Sequence, residues 1–312
     1  MNAFSHQPVM LEEILAVFEG MTAGTFVDAT LGGAGHAAAV LVAHPDVRLL
    51  GIDQDETALA AAAERLGQMG LGGRATLRRA RFEAVGQVVE EEGVGVVAGA
   101  LFDLGVSSPQ FDVAERGFSY RHDAPLDMRM DRSRGLSADI VVNTYSVDRL
   151  ATIIREHADE RFADRIARAI VANRPVGGTA RLAEIVTNAI PAATRRRGGH
   201  PAKRTFQALR IEVNQELEIL PVALEEAIRV LAPGARLAVL SYHSGEDRIV
   251  KSVMRNAETG GCTCPAGLPC GCGAVPSVRR VRAPREATAA ERASNPRAAS
   301  ARLRVVEKLG DR

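Results

Sequence analysis

Cysteine is scarce in this chain. Its four cysteines, Cys262, Cys264, Cys270 and Cys272, crowd one short segment, and no other position carries one. That pattern excludes a distributed disulfide framework and fits a reducing compartment. Also missing is any apolar run of the length that crosses a bilayer, so no membrane partner is expected. The opening residues, MNAFSHQPVMLEEIL, have neither the basic region nor the apolar region of a signal peptide, and a cytoplasmic location is the expectation. Charge of one sign is lacking too. Lys and Arg number 39 against 38 Asp and Glu, and the net charge of +1 does not by itself announce a polyanionic partner. No internal repeat is visible.

What is present is an ordinary globular composition, with 46% hydrophobic and 25% charged residues over 312 positions. That length suits a core domain with a smaller second one. The first third alternates. An amphipathic helix over 9–18 leads to a short strand at 26–29, a glycine turn, and a helix through Ala43. Strands follow at 47–52, 76–79 and 96–102, separated by helical patterns at 56–66 and 84–92. Strands separated by helices imply right-handed crossovers and a parallel sheet covered on both faces. The alternation stops after Pro109. Residues 110–145 read as irregular and polar, 148–190 as about three helices, and 212–231 as one long helix. A buried strand at 236–241 then resumes the sheet. Ser244 to Asp247 fits a capping box, 257–300 reads as a long loop, and 303–308 as a last strand. The expected fold is therefore α/β. A Rossmann-like, mostly parallel core (1–112 and 209–312) would carry an inserted all-helical domain (113–208).

The segment Asp28-Ala-Thr-Leu-Gly-Gly-Ala-Gly-His36 lies between strand and helix. Glycines there allow a sharp turn and close backbone approach to a ligand, and the helix N-terminus offers free N–H groups. Gly33-x-Gly35-x-x-Ala38 with a later Asp53 also fits a loose dinucleotide pattern. Asp28 favours a different ligand. A carboxylate at the mouth of the turn repels a pyrophosphate but suits S-adenosylmethionine, which carries an ammonium and a sulfonium. Asp53 is placed either to accept hydrogen bonds from ribose hydroxyls or to cap the next helix. Phe82, just past the third strand, could pack on adenine or fill core.

Asp103-Leu-Gly-Val-Ser-Ser-Pro-Gln110 leaves the end of the fourth strand. An exocyclic base amine is a poor nucleophile because its lone pair is delocalised into the ring. Acceptors such as Asp103, Ser107 and Ser108 would hold its hydrogens and orient it. No cysteine lies near this turn, which argues against the thiolate chemistry of carbon-5 pyrimidine methylation. His243, at the end of the fifth strand, could serve as a base, position the target, or make a structural hydrogen bond.

With these motifs in order, the chain resembles the RsmH (MraW) family of bacterial ribosomal RNA small-subunit methyltransferases. The resemblance starts at His6-Gln-Pro-Val-Met10 and includes the two segments above. It continues through Ala114-Glu-Arg-Gly-Phe-Ser119, Pro125-Leu-Asp-Met-Arg-Met-Asp131, Glu160-Arg-Phe-Ala163 and Thr205-Phe-Gln-Ala-Leu-Arg210. Later matches are Leu231-Ala-Pro-Gly234, His243-Ser244, Glu246-Asp-Arg-Ile-Val-Lys251 and Asn295-Pro-Arg297. It implies N4-methylation of a cytidine of 16S rRNA near the decoding centre, within the small ribosomal subunit, with S-adenosylmethionine as donor. A homodimer is left open. By motif, Gly33, Ala34, Gly35, His36, Asp53, Phe82, Asp103 and Gln110 would contact the cofactor. The family usually has glycine at position 34, a mild departure if φ there is negative. Gly245 stands where other members often carry leucine.

Two basic clusters stand out in a neutral chain. Arg195, Arg196, Arg197, Lys203 and Arg204, with Arg210, form one; Arg279, Arg280, Arg282 and Arg285 form the other. The first five would hold phosphates of RNA, a role that adds little sequence information. Phe118, Tyr120, Phe206 and Tyr242 could each stack a base or fill core, with Phe206 expected in core. Cys262, Cys264, Cys270 and Cys272 could form a zinc site or a loop of reduced thiols. Rival readings are a DNA amino-methyltransferase, a non-catalytic ribosome-assembly protein that binds RNA, and an NAD-dependent oxidoreductase.

Overall fold

The computed structural model describes residues 8–105, 113–195, 199–265 and 271–310. Along the first unit run α1 (Leu11–Val17), β1 (Gly24–Asp28), α2 (Gly35–Ala43), β2 (Val47–Asp53), α3 (Glu56–Gln68), β3 (Ala75–Arg79), α4 (Val85–Glu91) and β4 (Val97–Asp103). The second unit carries α5 (Ala138–Thr144), α6 (Val147–Ala158), α7 (Ala163–Ala172), α8 (Thr179–Ala189), α9 (Ala192–Arg195) and α10 (Lys203–Asn214). Then come α11 (Glu216–Val230), β5 (Leu231–Ser241), α12 (Ser244–Thr259), β6 (Val278–Arg280), α13 (Ala289–Ser294) and β7 (Arg302–Lys308). The chain divides into two compact units, the first ending at Gly105 and resuming at Ile219, the second running between them.

The first unit is a seven-stranded sheet in the order β3-β2-β1-β4-β5-β7-β6. Neighbours pair in parallel from β3 to β5, and β7 pairs antiparallel with both β5 and β6. This is the doubly wound, Rossmann-like α/β fold that the sequence implies, and its strand order reverses between β1 and β4. Alternating side chains feed two cores, as a sheet covered on both faces requires. Phe26, Leu49, Leu101 and Leu240 pack with Ile14, Leu41 and Leu66 on one face. Val27, Leu50, Phe102 and Val239 pack with Val88, Leu224 and Val250 on the other.

The helical unit has its own core, which joins α5 to α8 and α10 to the buried Phe118, Leu126, Met128 and Met130. The stretch read as irregular and polar over 110–145 is irregular but anchored from 117 to 137, and its end is helical, in α5. Asn214 anchors it. Its Nδ2 donates to the Met128 carbonyl and its Oδ1 accepts from the Met130 N–H, both at 2.8 Å.

Four sequence expectations change. The helix expected over 212–231 is two helices, because Gln215 takes a left-handed conformation with φ 56°. Its N–H ends α10 by donating to the Ile211 carbonyl. The fifth strand begins at Leu231, five residues early, directly after α11. The capping box of α12 is one residue out of register: His243 is the N-cap and Glu246 its partner. The long loop over 257–300 holds the end of α12, the edge strand β6 and the short α13.

Candidate active site

Strands β1, β2 and β4 end at Asp28, Asp53 and Asp103, so three carboxylates meet at the carboxyl edge of the sheet where the strand order reverses. In doubly wound sheets this crevice is where ligands bind. Asp28 is buried and accepts from the Thr30 N–H at 3.2 Å. Burial, helped by the nearby Asp103 and Asp53 charges, pushes its carboxyl up to about 8. Asp53 accepts from the Gly32 N–H at 2.8 Å and the Asp55 N–H at 2.9 Å. Desolvation raises it to about 6 against the pull of those N–H groups. Asp53 therefore ties β2 to the glycine turn. The cap of α3 is Asp55, whose carboxylate accepts from the Thr57 N–H at 3.0 Å.

The glycine turn is closed from above by the segment Pro8-Val9-Met10. A Cβ at Gly35 would lie 2.7 Å from the Pro8 ring, so only glycine fits there. Gly33 faces open space, whereas Ala34 is fully buried with φ 58° and ψ 31°. The expectation of a negative φ at Ala34 is thus corrected: the turn needs the left-handed conformation that glycine takes more readily. Glu291 holds the segment by accepting from the Met10 N–H at 2.8 Å.

His36, the second residue of α2, is buried and joins this segment to Asp103. Its Nε2 lies 2.9 Å from the Val9 carbonyl, an obligate acceptor, so the proton belongs on Nε2. Its Nδ1 lies 3.5 Å from Asp103 Oδ2. The other oxygen, Oδ1, accepts from the Tyr242 hydroxyl at 2.5 Å, and the Asp103 N–H donates to the Thr30 hydroxyl at 2.6 Å. Burial raises the Asp103 carboxyl, opposed by the charges of His36 and Arg297 and by the Tyr242 hydrogen bond. The Tyr242 phenol is pushed up by burial and by Asp103.

Tyr242, Glu246 and Arg297 complete this cluster without having been picked out as catalytic or cofactor-binding from the sequence. Glu246 is buried and accepts from the Tyr242 N–H at 2.7 Å and the His243 N–H at 3.2 Å. His243 caps α12, and its Nε2 is 3.1 Å from Glu246 Oε1. Motifs over 243–251 and 295–297 hold Glu246 and Arg297, and Tyr242 directly precedes the first, but the sequence does not show that they meet Asp103. Phe82 packs edge-on against Phe102 with centroids 6.1 Å apart and stays partly exposed. Ser107, Ser108 and Gln110 lie outside the described residues.

In the helical unit, Lys203 and Arg204 stand exposed in the first turn of α10. Arg204 donates to the Asp159 carbonyl at 3.0 Å. Arg195 ends α9; its side chain, Arg196 and Arg197 lie outside the described residues. Other basic residues are engaged: Arg210 pairs with Glu216, Arg279 with Glu307, Arg280 with Glu258 and Arg285 with Asp247. Phe118 and Phe206 are core, and Tyr120 packs between His200 and Phe206. Cys262, Cys264 and Cys272 converge, with sulfurs all within 4.8 Å of one another; Cys270 lies outside the described residues. Among the described residues no helix is long and apolar enough to cross a membrane.

A model of the MraW methylase family matches residues 3–309. Ribosomal RNA small subunit methyltransferase H of Symbiobacterium thermophilum is 52% identical, with 98% of each chain covered. The proteins of that name from Thermobifida fusca and Heliobacterium modesticaldum are 51% and 48% identical, over 97% and 98% of this chain and 93% and 99% of their own.

Proposed function

Since the chain belongs to the MraW methylase family, we propose that it methylates the exocyclic N4 amine of a cytidine in 16S rRNA near the decoding centre, with S-adenosylmethionine as donor. The observation that carries this reading is the partly exposed Asp103 carboxylate at the end of β4, held by the Tyr242 hydroxyl, with its backbone N–H tied to Thr30 and the glycine turn beside it. The donor set fits the cofactor. Three carboxyls meet in one crevice, and desolvation holds each above its ordinary range; a sulfonium and an ammonium would draw them into the ionised form, whereas a pyrophosphate offers them no counter-charge.

Gly33, Ala34, Gly35 and His36 would form the floor under the cofactor, beside Asp28. Asp53 keeps lone pairs for ribose hydroxyls, and the exposed edge of Phe82 would face adenine. Gln110 belongs to the same set by its place in the turn. When bound, the cofactor supplies an electrophilic methyl group on sulfur. Asp103 accepts the hydrogens of the target amine, with Ser107 and Ser108 beside it. That returns electron density to nitrogen and holds its lone pair in line. Tyr242 fixes one Asp103 oxygen by its hydrogen bond, and His36 Nδ1 stands 3.5 Å from the other. His243, held by Glu246, positions the base, and the amine proton leaves to water.

The helical unit, roughly 113–208, would recognise the RNA, with Arg195, Arg196, Arg197, Lys203 and Arg204 holding phosphates. Neutralising those five should flatten the salt dependence of RNA binding and leave cofactor affinity intact. The deciding experiment is methyl transfer from labelled S-adenosylmethionine to small ribosomal subunits that lack the modification, followed by nucleoside mass analysis. N4-methylcytidine is the expected product. Label on DNA alone, or no transfer despite tight cofactor binding, would overturn the assignment.

A further inference from the structure

Beyond the reaction lies a second site, at the loop joining α12 to β6. We propose that Cys262, Cys264 and Cys272 bind a zinc ion that ties the two arms of this loop together.

The neck of the loop is built without any metal. Gly260 ends α12 in the left-handed conformation, with φ 63°. A Cβ on it would lie 2.5 to 2.6 Å from the Val275 backbone, so the returning arm presses directly on the helix end. Below that, the Ser277 N–H donates to the Ala257 carbonyl at 2.9 Å, and the Gly261 N–H to Asn256 at the same distance. Cys262 follows at once, its N–H donating to the Thr259 carbonyl at 3.2 Å. The outgoing arm thus delivers Cys262 and Cys264, and the returning arm delivers Cys272.

Their sulfurs lie within 4.8 Å of one another. Thiolates around a tetrahedral zinc at about 2.3 Å sit roughly 3.8 Å apart, so small side-chain rotations close the set. Core filling does not explain the cluster, since Cys262 and Cys264 are partly exposed and Cys272 is exposed. Soft thiolate donors select zinc over magnesium or calcium. Binding deprotonates each thiol, and the protons go to solvent. The site is structural: the side chains around Asp103 do not take part in it.

The test begins with unmodified protein purified without chelator under reducing conditions. Elemental analysis is expected to find about one zinc per chain, and X-ray absorption three or four sulfurs at about 2.3 Å. Cys272→Ser, and Cys262→Ser combined with Cys264→Ser, should each lower zinc content at least about fivefold with methyl transfer within about twofold of the parent. Less than about 0.2 zinc per chain after zinc is supplied, a shell of nitrogen and oxygen only, or a disulfide in the reduced preparation would overturn the proposal. Because zinc content is read on the parent protein, poor folding of a variant does not blunt the test, and failure of methyl transfer leaves the zinc result standing.

Discussion

Ala34 holds a left-handed conformation that costs an L-residue about 1–2 kcal/mol. Replacing it with glycine removes that strain. The same change frees the unfolded chain by about 0.4–1 kcal/mol and gives up a buried methyl worth about 0.8 kcal/mol. The terms nearly cancel, so Ala34→Gly is expected to shift the urea midpoint by less than about 0.5 kcal/mol equivalent, and a loss above 2 kcal/mol would contradict the strain. Tyr242 offers a sharper case. Its hydroxyl donates to Asp103 Oδ1, and this bond opposes the rise that burial imposes on the carboxyl. Tyr242→Phe removes the bond and leaves the ring, so Asp103 should ionise at a higher pH. Transfer at neutral pH should drop about tenfold or more and recover as pH rises, with the acidic limb of the rate profile moved upward. An unmoved limb would mean that Tyr242 is packing alone.

Among elements, those with a repeating signal were legible. Aspartates ending apolar runs gave the strand ends of β2 and β4, and glycines gave the turn; β1 ends at Asp28, one residue before the end expected for it. What was not legible depends on partners far away in sequence. Tyr242 and Asp103 are 139 residues apart, and no local pattern pairs them. Val278–Arg280 has one apolar residue and becomes a strand only because β7 offers an edge. The capping box was misplaced because Ser244 is a commoner cap than His243, and only the folded chain shows which side chain reaches Glu246. Residues 125–131 belong with these cases: their order comes from Asn214, 84 and 86 positions from the residues it binds. Asn214→Ala strands a buried donor and a buried acceptor, each worth about 1–3 kcal/mol. Thermal or urea unfolding should show a loss of about 3 kcal/mol, with Asn214→Asp in between because it keeps the acceptor for Met130. A loss below 1 kcal/mol would show that this loop is ordered by its apolar residues instead.

For the molecule as a whole, the carboxyl edge of the sheet couples cofactor binding to pH. In the folded, cofactor-free protein Asp28 titrates near 8, Asp53 near 6, and Asp103 above its ordinary value. Unfolded, each would titrate near 3.8. Between those limits the folded state holds more protons than the unfolded one, so these groups make stability fall as pH rises from about 4 to about 8, and the effect then levels off. A cation in the crevice favours the ionised carboxylates and reverses that penalty. S-adenosylmethionine should therefore bind more tightly as pH rises through about 6 to 8, releasing protons as it binds. Melting temperatures measured with and without it between pH 5 and 9 should diverge over this window. S-adenosylhomocysteine has a neutral sulfur, and its divergence should be weaker. Asp28→Asn should remove the part of the divergence between pH 6 and 8 and leave the part due to Asp53. Equal pH dependence for the charged and the neutral sulfur would mean that the carboxylates answer to the amino-acid end of the ligand, and would move Asp28 away from the reacting methyl.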